Sequence, residues 1–432
     1  METRIRPVEN PFLKQKELAF LDNAARKMLF SIMRHLKKGR IHFQEENLRK
    51  TFGRLAHDAP LEASVTVLSP NFYSRIVFGG SVGAGEAYML GLWQTDDLTQ
   101  LMRIIVLNQN VFGGLDKGWA TLSTPLYKLY HALHKDTRKG SRINIAAHYD
   151  LGNDFYRLFL DETLTYSCGI FENRDSTLKE ASLAKYDRIC RKLLLNPANH
   201  VLEIGTGWGG FAIFAATHYG CRITTTTISR KQYDLAVKRV KKARLEDRIK
   251  ILFKDYRDIK GRFDKLVSIE MIEAVGHQYL DTFFRACSAR LKDDGMMLLQ
   301  AITITDRVFE KHKRGVDFIK RYIFPGSCIP SVAAMNRSVA CATDMKMDHL
   351  EDITPHYAKT LRMWRNQFFE NIEQVRELGY SEAFIRMWEY YFCYCEAGFQ
   401  ERYLGDVQIR LIKPMARPAP ILPPLESEGD ES

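Results

Sequence analysis

One run of ten residues constrains this chain more than any other. Val201-Leu202-Glu203-Ile204-Gly205-Thr206-Gly207-Trp208-Gly209-Gly210 sets an apolar strand before a glycine turn that opens a helix. The glycines let backbone approach a ligand closely, and the free N–H groups at the helix start suit a carboxylate or phosphate. Taken alone, such a turn serves NAD, FAD or S-adenosylmethionine (SAM) equally, so the neighbouring residues must decide.

Around the turn, strands and helices alternate. Strands are predicted at His200–Glu203, Arg222–Ile228, Ile249–Phe253, Lys265–Glu270 and Met296–Ile302, with helices from Gly209, from Ser229 and over Gln278–Leu291. This order gives a doubly wound α/β sheet, whose ligands bind beyond the carboxyl ends of the strands. A helical, turn-containing insertion from Thr303 to Met347 interrupts the sheet, and helical stretches over Thr354–Leu378 and Ser381–Phe399 follow. Insertions at strand ends commonly form a substrate cover.

With 432 residues, 45% apolar and 27% charged, the chain can fill two cores, a main one and a smaller N-terminal one. An accessory, lipid-interacting domain is expected over 1–125. In it Leu13, Leu18, Leu21, Ala25, Met28, Ile32 and Leu36 recur every three to four residues among basic side chains. That basic amphipathic helix either packs on the small domain or touches a membrane. Gly79 to Tyr88 carries too many glycines for a helix and is predicted as a loop; no Lys-Ser or Lys-Thr closes it as a P-loop requires. A basic linker follows over 126–143, with Lys128, His131, His134, Lys135, Arg138, Lys139 and Arg142, and a catalytic domain over 144–412. The end, 413–432, with five prolines and then Glu426, Glu428, Asp430 and Glu431, is predicted to bury no core and to be disordered.

The formal charge of +11 attracts polyanions, either nucleic acid or an anionic lipid face. No N/D-P-P-Y motif and no Pro-Cys nucleophile motif is present, which argues against nucleic-acid methylation. Eight cysteines lie scattered without a ligand spacing, as reduced thiols in the cytosol do. No apolar run approaches the ~18 residues of a spanning helix, and acids interrupt the first thirty residues. The expectation is a cytoplasmic protein, peripheral on the inner face of the membrane.

The E-x-G-x-G-x-G pattern resembles motif I of class I SAM methyltransferases, which implies a seven-stranded sheet. A dehydrogenase would carry an acid where Thr225-Thr226-Thr227-Ile228-Ser229 stands. Further motifs sharpen the likeness. Ala147-His148-Tyr149-Asp150-Leu151-Gly152-Asn153-Asp154-Phe155-Tyr156, Thr165-Tyr166-Ser167-Cys168 and Tyr322-Ile323-Phe324-Pro325-Gly326-Ser327-Cys328-Ile329-Pro330-Ser331 resemble blocks of the cyclopropane-fatty-acyl-phospholipid synthase family, which includes the mycolic acid cyclopropane synthases. The last block falls in the insertion and is expected to line an acyl channel.

This resemblance implies that Tyr166, Ser167, Glu203, Gly205, Gly207, Gly209, Thr227, Ser229, Gln232, Tyr256, Arg257 and Ile269 hold SAM. It also implies transfer of a methylene unit to the cis double bond of an unsaturated acyl chain in a membrane phospholipid, on an anionic membrane surface, by a chain that can form homodimers. Family members are understood to use bound bicarbonate to deprotonate the resulting carbocation. Its cradle maps onto Cys168, Glu273, Gln300, Ile302 and Tyr357.

Two positions depart from the family pattern. Gln300 stands where many bacterial members have histidine, and Ala274 follows Glu273 where histidine is usual, while Glu270 reads as a strand-end structural acid. A carboxamide can donate and accept hydrogen bonds but cannot become a cation. Glu273 and bicarbonate, as two anions in one pocket, would share a proton. Cys395 matches a cysteine suspected of catalysis in relatives, yet the reaction needs no thiolate, and a pocket-lining role suits it better. The departures keep open a product that is methyl-branched or methylated and unsaturated, and a non-catalytic lipid-binding protein is the alternative of another class.

Overall fold

A computed structural model describes residues 15–46, 48–55, 60–112 and 151–422; the predicted basic linker, residues 147–150 of the first family block and the acidic chain end lie outside them. The chain divides into two compact units, one of Met1–Tyr127 with Ser381–Tyr390, the other of Lys128–Tyr380 with Tyr391–Ser432.

In the first unit a four-stranded sheet runs in the order β2-β1-β3-β4, from β1 (Gly39–Glu45), β2 (Leu48–Arg54), β3 (Glu62–Val67) and β4 (Trp93–Thr95). Period-two alternation turns Ile41, Phe43, Ala63, Val65 and Val67 inward. The helix Gln15–Met33 covers that face: Ala25, Leu29, Phe30 and Met33 are buried, and Phe30 meets Phe43 and Phe52 at centroid distances of 5.7 and 5.2 Å. The helix thus packs on its own unit, as the first of the two readings has it, although Leu21, Met28 and Ile32 of the predicted stripe are only partly buried.

The glycine-rich run Gly79 to Tyr88 is not the predicted loop. It lies inside the helix Asn71–Met89, which breaks at Gly80 (φ 56°, ψ −140°). A Cβ on Gly83 would stand 2.0 Å from the Arg75 carbonyl oxygen, so glycine lets the two helical halves close on each other. Burial of Val82, Ala87, Tyr88 and Met89 supplies the stability that glycine's poor helix propensity withholds.

The second unit is built on a seven-stranded sheet of order β10-β11-β9-β8-β5-β6-β7, comprising β5 (His200–Ile204), β6 (Arg222–Thr227), β7 (Ile249–Phe253), β8 (Phe263–Ile269), β9 (Leu291–Ile304), β10 (Lys346–Asp352) and β11 (Leu404–Ile412). Strands β7, β6, β5, β8 and β9 are parallel; β11 and β10 add on antiparallel. Apolar residues line both faces: Leu202, Leu266, Met297 and Leu299 on one, Val201, Ile223, Val267 and Leu298 on the other. The strand order reverses between β5 and β8, which opens a crevice beyond their carboxyl ends.

The chain beyond β11 departs from the expected coreless tail at its start. Lys413 is buried and its ammonium binds both Asp344 oxygens at 2.6 Å, while Ala416 packs into the core beside Ile412. One ion pair and one small apolar side chain are enough to hold these residues. Among the described residues no helix is long and apolar enough to cross a membrane, no group of side chains could hold a metal ion, and all eight cysteines are free.

Candidate active site

The turn after β5 takes left-handed backbone at Gly205 (φ 103°), Gly207 (φ 51°) and Gly209 (φ 86°), conformations that side chains disfavour. The N–H groups of Gly205 and Thr206 both donate to the Thr226 carbonyl, tying the turn to β6. Glu203, at the end of β5, is buried with Oε2 lacking any hydrogen-bond partner, and burial pushes its carboxyl up to about 8. A buried acid with an orphaned oxygen beside a turn and helix start that favour anions fits the ammonium and carboxylate of an amino-acid moiety, as SAM carries.

The other predicted cofactor residues gather around this crevice. Thr227 donates to Gln232 Oε1 at 3.0 Å and accepts from the Ser229 N–H, while Ser229 caps the helix Arg230–Lys242. Tyr256 and Arg257 form a single 3-10 turn, where Asp255 accepts from the Arg257 backbone and guanidinium at 2.6–2.9 Å. Asp255 thus fixes the arginine, a role its sequence position alone does not reveal. Ile269 ends β8 opposite Gln300. Ser167 is buried and accepts from the ammonium of Lys185.

An aromatic wall leads from the turn inward. Trp208 meets Tyr156 at 5.0 Å, Tyr156 meets Tyr166 at 5.4 Å, and Tyr166 lies 5.2 Å from Trp364. The Tyr166 hydroxyl is 3.0 Å from that of Tyr391. Phe324, from the inserted block, stands 6.3 Å from Tyr166. The same block is pinned to the site by its backbone, since the Cys328 N–H donates to the Glu273 carbonyl and the Ile304 N–H to that of Pro330.

At the inner end sits a cluster of acids, the half-buried Glu270 and Glu273 and the buried Asp406. Glu270, directly after β8, holds the left-handed value φ 45°. Its Oε1 accepts from the Cys168 N–H and from Gln300 Nε2, both at 2.8 Å, and its Oε2 accepts from the Tyr357 hydroxyl at 2.6 Å. Glu273 Oε1 accepts from the Ile302 N–H at 2.6 Å, while Oε2 is buried without a partner. Gln300 is wholly buried; Nε2 also reaches Asp406 Oδ2 at 3.1 Å, and Oε1 accepts from Gln408, which in turn accepts from Lys192. That relay sets which way the carboxamide faces.

Burial dominates the electrostatics. It pushes Glu273 up to about 8 with Glu270 adding to the effect, and it holds Asp406 well above the carboxylate range, again with Glu270 second. Burial lowers Lys185, with Glu270 as the strongest opposing charge. Burial likewise raises the Cys168 thiol and the Tyr357 phenol. Cys395, on the helix Glu382–Gln400, is raised by burial too, so it is no thiolate, and no hydrogen bond joins it to this cluster among the described residues.

The predicted cradle residues are therefore together, but not around an open anion site. Three of its five groups, Cys168, Gln300 and Tyr357, already bind the Glu270 carboxylate, and the Ile302 N–H is satisfied by Glu273. Bicarbonate does not fit this arrangement without displacing a side chain. The acid expected to be structural occupies the centre of the cluster. Its signal in the sequence is slight: it stands three residues before Glu273 at the strand end that borders the crevice. Lys185, Asp406, Gln408 and Tyr391 are the other residues that sequence reasoning does not find.

Residues 135–409 match the family described as mycolic acid cyclopropane synthetase. Tuberculostearic acid methyltransferase UfaA1 of Mycobacterium tuberculosis (strain ATCC 25618 / H37Rv) is 37% identical over 346 residues, covering 78% of this chain and 80% of that protein. The cyclopropane-fatty-acyl-phospholipid synthase of Escherichia coli (strain K12) is 34% identical over 362 residues, 82% of this chain and 88% of the relative. Among solved structures, mycolic acid cyclopropane synthase CmaA1 complexed with SAH and CTAB aligns with a TM-score of 0.59 at 33% identity, covering 63% of this chain and 98% of its own.

Proposed function

The chain belongs to the mycolic acid cyclopropane synthetase family and is a SAM-dependent transferase that modifies lipid acyl chains; from that premise we propose that it delivers a one-carbon unit to the cis double bond of an unsaturated acyl chain in a membrane phospholipid, forming a cyclopropane. One observation carries the reading. The glycine turn, the aromatic wall and the acid cluster are joined by direct contacts in a buried interior, where an alkene and a sulfonium can meet without water.

When bound, SAM supplies an electrophilic methyl carbon on a positively charged sulfur. Glu203 and the turn Gly205 to Gly209 would hold its amino-acid end, Thr227, Ser229 and Gln232 its ribose, and the Tyr256–Arg257 turn its base. The faces of Tyr166 and Trp364 stabilise positive charge as it moves from sulfur to the acyl chain. The inserted block, held on Glu273 and β9, excludes water from the reacting carbons. The charge of +11 draws the protein to an anionic lipid surface, where its substrate lies.

The 37% identity to a tuberculostearic acid methyltransferase favours a second reading, a methyl-branched or methylated unsaturated chain. The two differ in which proton leaves the cation, and a saturated branch needs a hydride donor besides. Expression in a host without its own synthase, followed by mass spectrometry of total fatty acids, tests both. A gain of one CH2 with ring-methylene proton resonances supports the cyclopropane; the same gain with olefinic resonances, or a gain of CH4 with methyl-branch resonances, selects the second reading. Unchanged fatty acids would refute both.

A further inference from the structure

We infer that the chain carries its own proton acceptor: the Glu270 carboxylate fills the anion site at the end of β8 and takes the proton that acyl transfer releases, in place of a bound bicarbonate. The inference rests on the transferase reading above and names the base within it. Glu270 is met by a backbone N–H, a carboxamide N–H and a phenol, three of the five groups of the predicted anion cradle. Oε1 receives two of these donors and Oε2 one, and the carboxyl of Asp406 is a further hydrogen-bond partner of Glu270.

The backbone points the same way. A φ of 45° is strained for glutamate and relaxed for glycine, so its side chain is held there by its three partners rather than by its backbone. The remaining acids of the cluster are poorly suited to be bases. Glu273 and Asp406 are both raised, by burial first and by Glu270 second, and Glu273, pushed up to about 8, holds a proton at neutral pH. Burial lowers the ammonium of Lys185, and the charge of Glu270 is the first to oppose that shift.

The step balances without a redox partner. The alkene π pair forms the bond to the methyl carbon as the carbon–sulfur bond breaks, leaving a cation on the second alkene carbon. One C–H bond of the new methyl then breaks; its electron pair closes the ring and its proton goes to the Glu270 carboxylate. Gln300 and Tyr357 are positioning residues here, since they act through the carboxylate.

Two variants and a labelled anion test this. With SAH bound, 13C-bicarbonate titrated into the wild type gives no bound carbon resonance, whereas Glu270→Gly, which empties the site and relaxes the backbone, gives one. Wild-type turnover is indifferent to bicarbonate depletion; Glu270→Gln falls at least ~100-fold with SAH affinity retained; Glu270→Gly is inactive in depleted buffer and recovers on adding bicarbonate. Bound bicarbonate in the wild type, loss of wild-type turnover on depletion, or full activity in Glu270→Gln overturns the inference. If the wild type modifies no acyl chain, the transferase reading fails by itself, and the carbon resonance still decides whether Glu270 fills the anion site.

Discussion

Replacing Glu273 with glutamine isolates what burying an acid costs this fold. Burial, then Glu270, pushes Glu273 up to about 8 against an ordinary carboxyl value of 4.5. Between those values the folded chain holds a proton that the unfolded chain has released, so stability is fullest below the lower value and falls as pH rises toward the higher. One such proton gives a slope of about 1.4 kcal/mol per pH unit. The variant has nothing to titrate at this position and lacks that slope. From about pH 5.5 to about pH 7.5 the wild type should therefore lose about 2.7 kcal/mol relative to Glu273→Gln. Glu203, raised to about 8 by burial, titrates in both proteins and cancels. Urea unfolding followed by tryptophan fluorescence at constant ionic strength reads the difference, because Trp208 and Trp364 are buried in this unit. Stability profiles that run parallel across this pH range would refute the proton on Glu273.

Tyr357→Phe removes the donor to Glu270 Oε2 while keeping the ring stacked on Phe399, so turnover should fall roughly 10- to 100-fold with SAH affinity unchanged by calorimetry. Equal losses in both quantities would contradict a role confined to the carboxylate. Gly205→Ala strains a backbone at φ 103° and brings a Cβ against Met271 at 3.4 Å, so SAH binding should weaken at least ~10-fold; an unaltered dissociation constant removes the turn from the cofactor site. Activity on vesicles of anionic phospholipid should fall as salt rises, and a flat profile would leave the net charge of +11 without a docking role.

What the sequence discloses here follows from how local each signal is. The strand, glycine turn and helix from Val201 to Gly210 are specified by neighbours in the chain, as is the serine cap at Ser229, and both are legible. Gly79 to Tyr88 is misleading because its helix is stabilised by burial and by a close backbone approach at Gly83, which no propensity encodes. β11 goes unread for a different reason. Its polar residues Asp406, Gln408 and Arg410 look like a solvent-facing row, yet all are buried, partnered by Gln300, Lys192 and Asp348 from elsewhere in the chain. β10, half exposed at the sheet edge, has too few apolar residues to announce itself. Glu270 is legible as an acid at a strand end; that its carboxylate turns inward depends on donors 30 to 102 residues away.

Gln300 and Glu270 make sense as a pair. A neutral imidazole at position 300 would bring one donor and one acceptor on opposite sides of a ring. The carboxamide brings two N–H donors on one nitrogen, and the structure uses them on Glu270 Oε1 and Asp406 Oδ2, with its oxygen reserved for Gln408. The neutral carboxamide holds the carboxylate in place by a hydrogen bond and adds no charge to the cluster. Glutamine at 300 thus suits the internal base we infer, since the departure from histidine falls on a residue that positions Glu270.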